Sequence, residues 1–208
     1  MSRLAHHAFS LAALLLCVVL LSGRPQLTQG ALAQESALTG QMLVATERML
    51  DTRFAETVIY IVDHDRNGAF GLIVNRPYAE GPISALLDSF GLEHDDVFGD
   101  ITVHHGGPVD TGLAFILHSA EYIIEGTLVI DGLVAFTRNP EVLRDIGIGK
   151  GPRRSLLAFG YSGWGPGQLD GEVQRGDWLV IDGDPEFVFG PNSAAKWRRA
   201  MDRGDDFI

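Results

Sequence analysis

Cysteine is nearly absent: the 208 residues hold one, Cys17. Leu15 and Leu16 precede it inside an apolar run, where a lipoprotein signal would carry small residues, so Cys17 reads as a hydrophobe of that run. Once the run is removed, no disulfide, thiolate metal ligand or thiol nucleophile is possible. Positive charge is also scarce. Lys and Arg number 16 against 27 Asp and Glu, for a formal net charge of -11. A surface of that sign repels phosphate backbones and gains little from counterion release, which argues against direct nucleic-acid binding. A membrane-spanning run is missing as well. Ala8–Leu21 is apolar over 14 residues apart from Ser10, whereas a spanning helix needs about 20. No repeat, linker or low-complexity block divides the rest. Hydrophobic content of 46% with 21% charged residues excludes a disordered chain and supports one domain with a sizeable core.

The N-terminus reads as a targeting segment. Arg3, His6 and His7 give a polar, positive start, Ala8–Leu21 is a signal-peptide core, and Ala31-Leu32-Ala33 offers the small residues a signal peptidase reads. Residues 1–33 are expected to leave before Gln34, giving a mature domain of 34–208 with net charge -13. Such a protein is periplasmic or extracellular, with no transmembrane segment in the mature chain. The alternatives are an uncleaved N-terminal anchor, or a mis-assigned start codon ahead of a cytoplasmic protein.

Local patterns predict the elements that follow. Leu43–Ala45 starts a strand. Thr57–Val62 is β-branched and aromatic throughout, and Asn67-Gly68 turns it into Ala69–Val74. Asn75-Arg76-Pro77 breaks that strand. Pro82 precedes a helix over 83–90 ended by Gly91. Strands are expected at 101–104, ended by Gly106-Gly107-Pro108, and at 113–117. A hairpin is expected over 127–130 and 133–136, around Asp131-Gly132. Asn139 and Pro140 open a helix that Gly147 stops. Leu156–Phe159 leads into the stretch Gly160–Glu172, GYSGWGPGQLDGE, read as strand, glycine turn, helix. Late strands are expected at 178–181 and 187–189, then a helix over 192–203 with Ala194, Trp197 and Met201 on its packed face. Hairpins and isolated helices without a βαβ rhythm make this an α+β chain with a mostly antiparallel or mixed sheet.

The candidate chemistry is weakly specified. The glycine stretch lacks the Lys-Ser/Thr of a phosphate loop, and Pro166 removes an N–H that a cradle would use. Ser162 sits near a nucleophile elbow, yet position 164 is Trp where that motif needs Gly. An envelope hydrolase using Ser162 or a histidine base is the alternative reading; a Ser-His-Asp set would draw on Ser162, His104 or His105, and Asp110. His104 and His105 point to opposite faces of a strand, which disfavours a shared metal, even with His64 added. Lys150, Arg153 and Arg154 form the one basic cluster and read as a solvated loop. The remaining distinctive residues are turn formers and aromatics. They suggest a shallow binding site made from Asn75, Arg76, His104, His105, Gly106, Gly107, Tyr161, Ser162, Trp164 and Gln168. That site is expected to hold no catalytic residue, metal or cofactor, and to take an unidentified small ligand or protein partner.

These landmarks together resemble the YqgE/AlgH family. They run from Gly40-Gln41-Met42-Leu43-Val44-Ala45 through Asp51, Phe54, Thr57–Tyr60, His64, Asn67-Gly68-Ala69, Gly71, Val74-Asn75 and Pro77. They continue with Gly106-Gly107-Pro108-Val109, Leu117-His118-Ser119, Gly160-Tyr161 through Gly167-Gln168-Leu169, Glu172 and Trp178. The resemblance covers about Leu38 to Met201. It implies an α+β domain with a barrel-like mixed sheet flanked by helices, no established enzyme activity and no cofactor. The AlgH name implies a transcriptional-regulator role in alginate production, which for so acidic a chain would be indirect. Two departures fall in the first loop. Ala45-Thr46-Glu47 stands where the family tends to carry Ala-Met-Pro, and Thr52 where it tends to carry Pro.

Overall fold

Two hydrophobic faces on one strand set the architecture. The computed structural model describes residues 38–205, so the expected leader lies outside the described residues. Strand β2 (Val58–Asp65) is buried on both sides. Val58, Tyr60 and Val62 pack into the largest core cluster, while Ile59 and Ile61 pack into a second with Trp164 and Trp178. A strand buried on both faces needs the continuous run of branched and aromatic residues that the sequence supplies.

The tight turn at Arg66-Asn67 returns the chain as β3 (Gly68–Ile73), and Asp65 Oδ1 accepts from Asn67 N at 2.7 Å. On its other edge β2 pairs with β1 (Met42–Ala45), which pairs in turn with β10 (Trp178–Ile181). Strand β4 (Pro77–Pro82), exposed along most of its length, pairs with the half-buried β5 (Asp100–His105) as a ribbon. Helix α1 (Ile83–Ser89) follows β4 directly. Strand β6 (Val109–Ser119) pairs with β8 (Val134–Thr137), which carries the short β7 (Leu128–Val129). Asp131 Oδ1 fixes that last turn by accepting from the N–H groups of Leu133 and Val134.

Strand β9 (Ser155–Trp164) joins the two ends of the sheet. One edge is held by β6. The other edge passes from β5, in parallel over Leu157–Phe159, to β3, antiparallel over Ser162–Trp164. The result is a single ten-stranded mixed sheet that curls into a half-barrel. Helix α2 (Glu141–Gly147) packs on α1. Helix α3 (Gln168–Arg175) follows β9, and α4 (Pro185–Phe189) and α5 (Ser193–Asp205) close the chain. Among the described residues no helix is long and apolar enough to cross a membrane.

Three expectations need correction. Phe187–Phe189 is not a strand but the end of α4. Asp184 Oδ1 caps Glu186 N at 2.9 Å and Pro185 takes the first turn, which outweighs the alternating Phe-Val-Phe. The glycine stretch does not turn at Gly160. Strand β9 continues to Trp164, and only Gly165-Pro166-Gly167 bends. On α5 the buried positions are Lys196 and Ala200, while Ala194 is exposed. Trp197 anchors the helix by donating its indole N–H to Ala45 O at 2.7 Å.

Candidate functional site

Where β9 changes neighbours, the sheet is wedged open by Gly106-Gly107. Gly106 N donates to Phe159 O, and Gly106 O accepts from Ile73 N, at 2.8 and 2.9 Å. The two glycine-bearing segments thus meet backbone to backbone. A Cβ on Gly107 (φ +155°) would lie 2.1 Å from the carbonyl carbon of Tyr161. Gly160 itself takes φ +73°, and a Cβ there would lie 2.4 Å from Gly107 O. Only glycine fits such contacts. Ser162 is fully buried beside them and donates its hydroxyl to Gly106 O at 3.3 Å. Tyr161 faces the opposite side of β9, among Phe70 and Phe115.

This junction is packed shut, and concave surface lies on either side of it. The first cleft, about 650 Å³, runs between the 49–54 loop and the end of β9, with Pro108, Val109, Trp164 and Gln168 in its wall. Its floor is organised by Glu172 on α3. Glu172 Oε2 accepts from the indole N–H groups of Trp164 and Trp178, each at 2.8 Å. Glu172 Oε1 accepts from Gln168 Nε2 at 2.9 Å, and Gln168 Oε1 accepts from Gly165 N at 3.1 Å. The two indoles meet edge to face at 6.1 Å, and Phe54 meets Trp178 in the same manner at 5.7 Å. At the mouth Arg53 forks onto Asp51, which holds that carboxyl below its usual range, and Arg175 forks onto Asp177. Leu50 projects from the rim, 93% exposed.

Asn75 and Arg76 act one layer behind this wall. Asn75 Oδ1 accepts from Val58 N, and its Nδ2 donates to Glu56 O, both at 2.9 Å. Arg76 donates to Arg53 O and Ala55 O at 2.5 and 2.6 Å. Both side chains clamp the backbone of the loop that forms the cleft. Burial pushes the Arg76 guanidinium below its ordinary value.

The second cleft, about 680 Å³, lies between the β4–β5 ribbon and the start of α5. His104 lines it, 8% exposed, with Nδ1 3.3 Å from Leu157 O. In the neutral ring that contact places the proton on Nδ1. Burial lowers the proton affinity of His104, and the charge of Lys196 lowers it further. Lys196, one of two lysines in the chain, is 2% exposed. Its ammonium donates to Val74 O at 3.0 Å and Val188 O at 2.7 Å. No carboxylate pairs with it among the described residues, and burial brings its pKa down to about 8. His105, on the other face of β5, lines neither cleft.

The expected single surface therefore divides. Trp164 and Gln168 stand in one cleft, His104 in the other, and Gly106, Gly107 and Ser162 form the closed seam between. Three contributors were not read from the sequence: Glu172 as a carboxylate shared by two indoles, the 49–54 loop as a wall, and Lys196 as a buried cation. Glu172 and Trp178 were noted as landmarks, but no local signal links residues eight and six positions apart through one oxygen.

The AlgH-like family model matches residues 42–206. A UPF0301 protein of Paracoccus denitrificans is 43% identical over 171 residues, spanning 81% of this chain and 90% of that relative. One from Methylococcus capsulatus is 42% identical over 163 residues, spanning 78% and 89%. The solution structure of the AlgH protein from Pseudomonas aeruginosa superimposes with a TM-score of 0.67 at 33% identity, covering 80% of this chain and 88% of that one. A Corynebacterium diphtheriae protein shares the fold at 22% identity, with a TM-score of 0.63 over 80% and 86% of the two chains. The family model and these likenesses lead to one assignment: the chain belongs to the AlgH-like, UPF0301 family.

Proposed function

We propose that this chain is a non-catalytic binding protein whose ligand or partner seats in the tryptophan cleft, and that any regulatory role runs through that contact. The observation that carries the reading is the state of the cleft's charged groups. Glu172 holds two indoles, while Arg53 and Arg175 hold Asp51 and Asp177. A site whose ionisable groups are already engaged with one another offers shape and aromatic surface rather than proton transfer. The exposed Leu50 at the rim supplies an apolar anchor. The buried Ser162 hydroxyl, donated to a backbone carbonyl, favours this reading over a hydrolase. The acidic chain favours a protein or small-molecule partner over nucleic acid.

The test is capture from an envelope fraction by the intact protein beside Leu50→Ala and Arg53→Ala. Both side chains are exposed, so these variants are expected to keep a Tm near that of the wild type. Loss of the captured species from both variants is expected. Full retention by both, at unchanged Tm, refutes the cleft as the binding site. N-terminal sequencing of the mature protein checks the export expected from residues 1–33: a start at Gln34 supports it, a start at Met1 opposes it.

A further inference from the structure

The second cleft has a charge layout that the first lacks. Asp100, Thr102 and His104 occupy alternate positions on β5 and share a face, and Glu80 stands opposite Thr102 in the ribbon. Lys196 closes the His104 end, where its ammonium lies on the carbonyl of Val74 and its charge reaches the His104 ring. With a strand rise of about 3.3 Å per residue, the Glu80–Thr102 row lies about 7 Å from His104 and Asp100 about 13 Å. One end of the cleft is cationic and the other anionic.

The cationic end is incomplete by itself. A buried charge is ordinarily paired with an opposite one. Lys196 has two carbonyl partners for three N–H donors and no carboxylate among the described residues. The turn that carries it, the first of the 13-residue α5, lines the same end through Asn192, Ser193 and Ala194. No side chain caps that turn among the described residues, so its N–H groups add partial positive charge. Leu156, Ile146 and Phe189 add apolar surface to the lining of the cleft.

We propose that this cleft binds a short zwitterionic peptide, about two to four residues long by the reach of an extended chain, with its carboxylate at Lys196 and the first turn of α5 and its amino group at Glu80 or Asp100. A single amino acid is too short to touch both ends, and a simple anion would leave the two carboxylates unanswered. The site is separate from the tryptophan cleft and does not depend on the function proposed there.

Trialanine is the probe, titrated calorimetrically into the intact chain. Saturable binding is expected, weakened about tenfold or more by amidating the C-terminus and similarly by acetylating the N-terminus. Glu80→Gln combined with Asp100→Asn, both exposed on the ribbon, removes the effect of acetylation and leaves that of amidation. Lys196→Met removes the effect of amidation; if that variant does not fold, amidation of the peptide still reports on the same end. Leu50→Ala leaves trialanine binding unchanged. No saturable binding at millimolar peptide, equal binding of the free and doubly capped peptides, or loss of binding in Leu50→Ala overturns the proposal.

Discussion

Lys196 makes stability rise with pH over a range in which most proteins are losing it. Its pKa falls from an ordinary 10.5 in the unfolded chain to about 8 in the folded one, chiefly through burial and then through the nearby Arg199. The unfolded state therefore binds the proton more tightly, and stability increases with pH across the interval between those values. Below pH 8 both states are protonated and the penalty is at its full size, about 3 kcal/mol. Between pH 7 and pH 10 about 2.5 kcal/mol of it is relieved. Tyrosines impose the upper limit. Burial pushes Tyr60 and Tyr122 up, with Asp131 and Asp145 as their hydroxyl partners. A phenol whose folded pKa is raised contributes stability that is lost as pH climbs past the unfolded value, about 10. The stability profile should thus peak near pH 10. Urea unfolding followed by tryptophan emission at half-unit steps from pH 7 to 10.5 measures it. Lys196→Met should remove the rise while keeping the fall above pH 10. A flat wild-type profile from pH 7 to 10, or an equal rise in Lys196→Met, refutes the reasoning.

Three further perturbations probe the architecture. Glu172→Ala strands two indole N–H groups, each worth roughly 1–3 kcal/mol; a loss of about 2–5 kcal/mol is expected by urea unfolding, with Glu172→Gln retaining more than half, and a loss below 1 kcal/mol contradicts the shared-acceptor floor. Gly160→Ala forces a Cβ onto Gly107 O at positive φ and should leave little folded protein at 37 °C by circular dichroism, whereas Gly167→Ala, with open space around it, should lose no more than about 1–2 kcal/mol of strain. Arg76→Ala frees the carbonyls of Arg53 and Ala55, so amide exchange over 51–57 should quicken at least tenfold while β2 and β3 keep their protection.

Sequence pattern carried the elements whose cause is local. The β2–β3 hairpin was legible because Asn67-Gly68 follows an unbroken β-branched run, and α2 because the Asn139 carboxamide accepts from Glu141 N at 3.0 Å. The β4 ribbon was not, because Pro77, Gly81 and Pro82 are poor strand residues; an exposed edge pairing with β5 tolerates them. Phe187–Phe189 misled because side-chain alternation was weighed above the Asp184-Pro185 cap. Both clefts depend on long-range pairings. Gly106 and Gly160 share a seam because β9 changes partners there, and Lys196 reaches Val74 across 122 positions. No spacing rule within one element foretells either. The glycines themselves did stand out, and they mark where backbones touch.

The exchange of neighbours along β9 has a topological consequence. Among the described residues β9 is the one strand paired with both curved wings, so neither wing is a separable half of the protein. A chain cut at Gly165–Gly167 keeps every rung of the ladder and should reassemble from its two fragments. A cut at Gly160 severs the keystone: β5 and β6 keep Ser155–Phe159 beside them, while Ser162–Trp164, the partner of β3, leave with the other fragment.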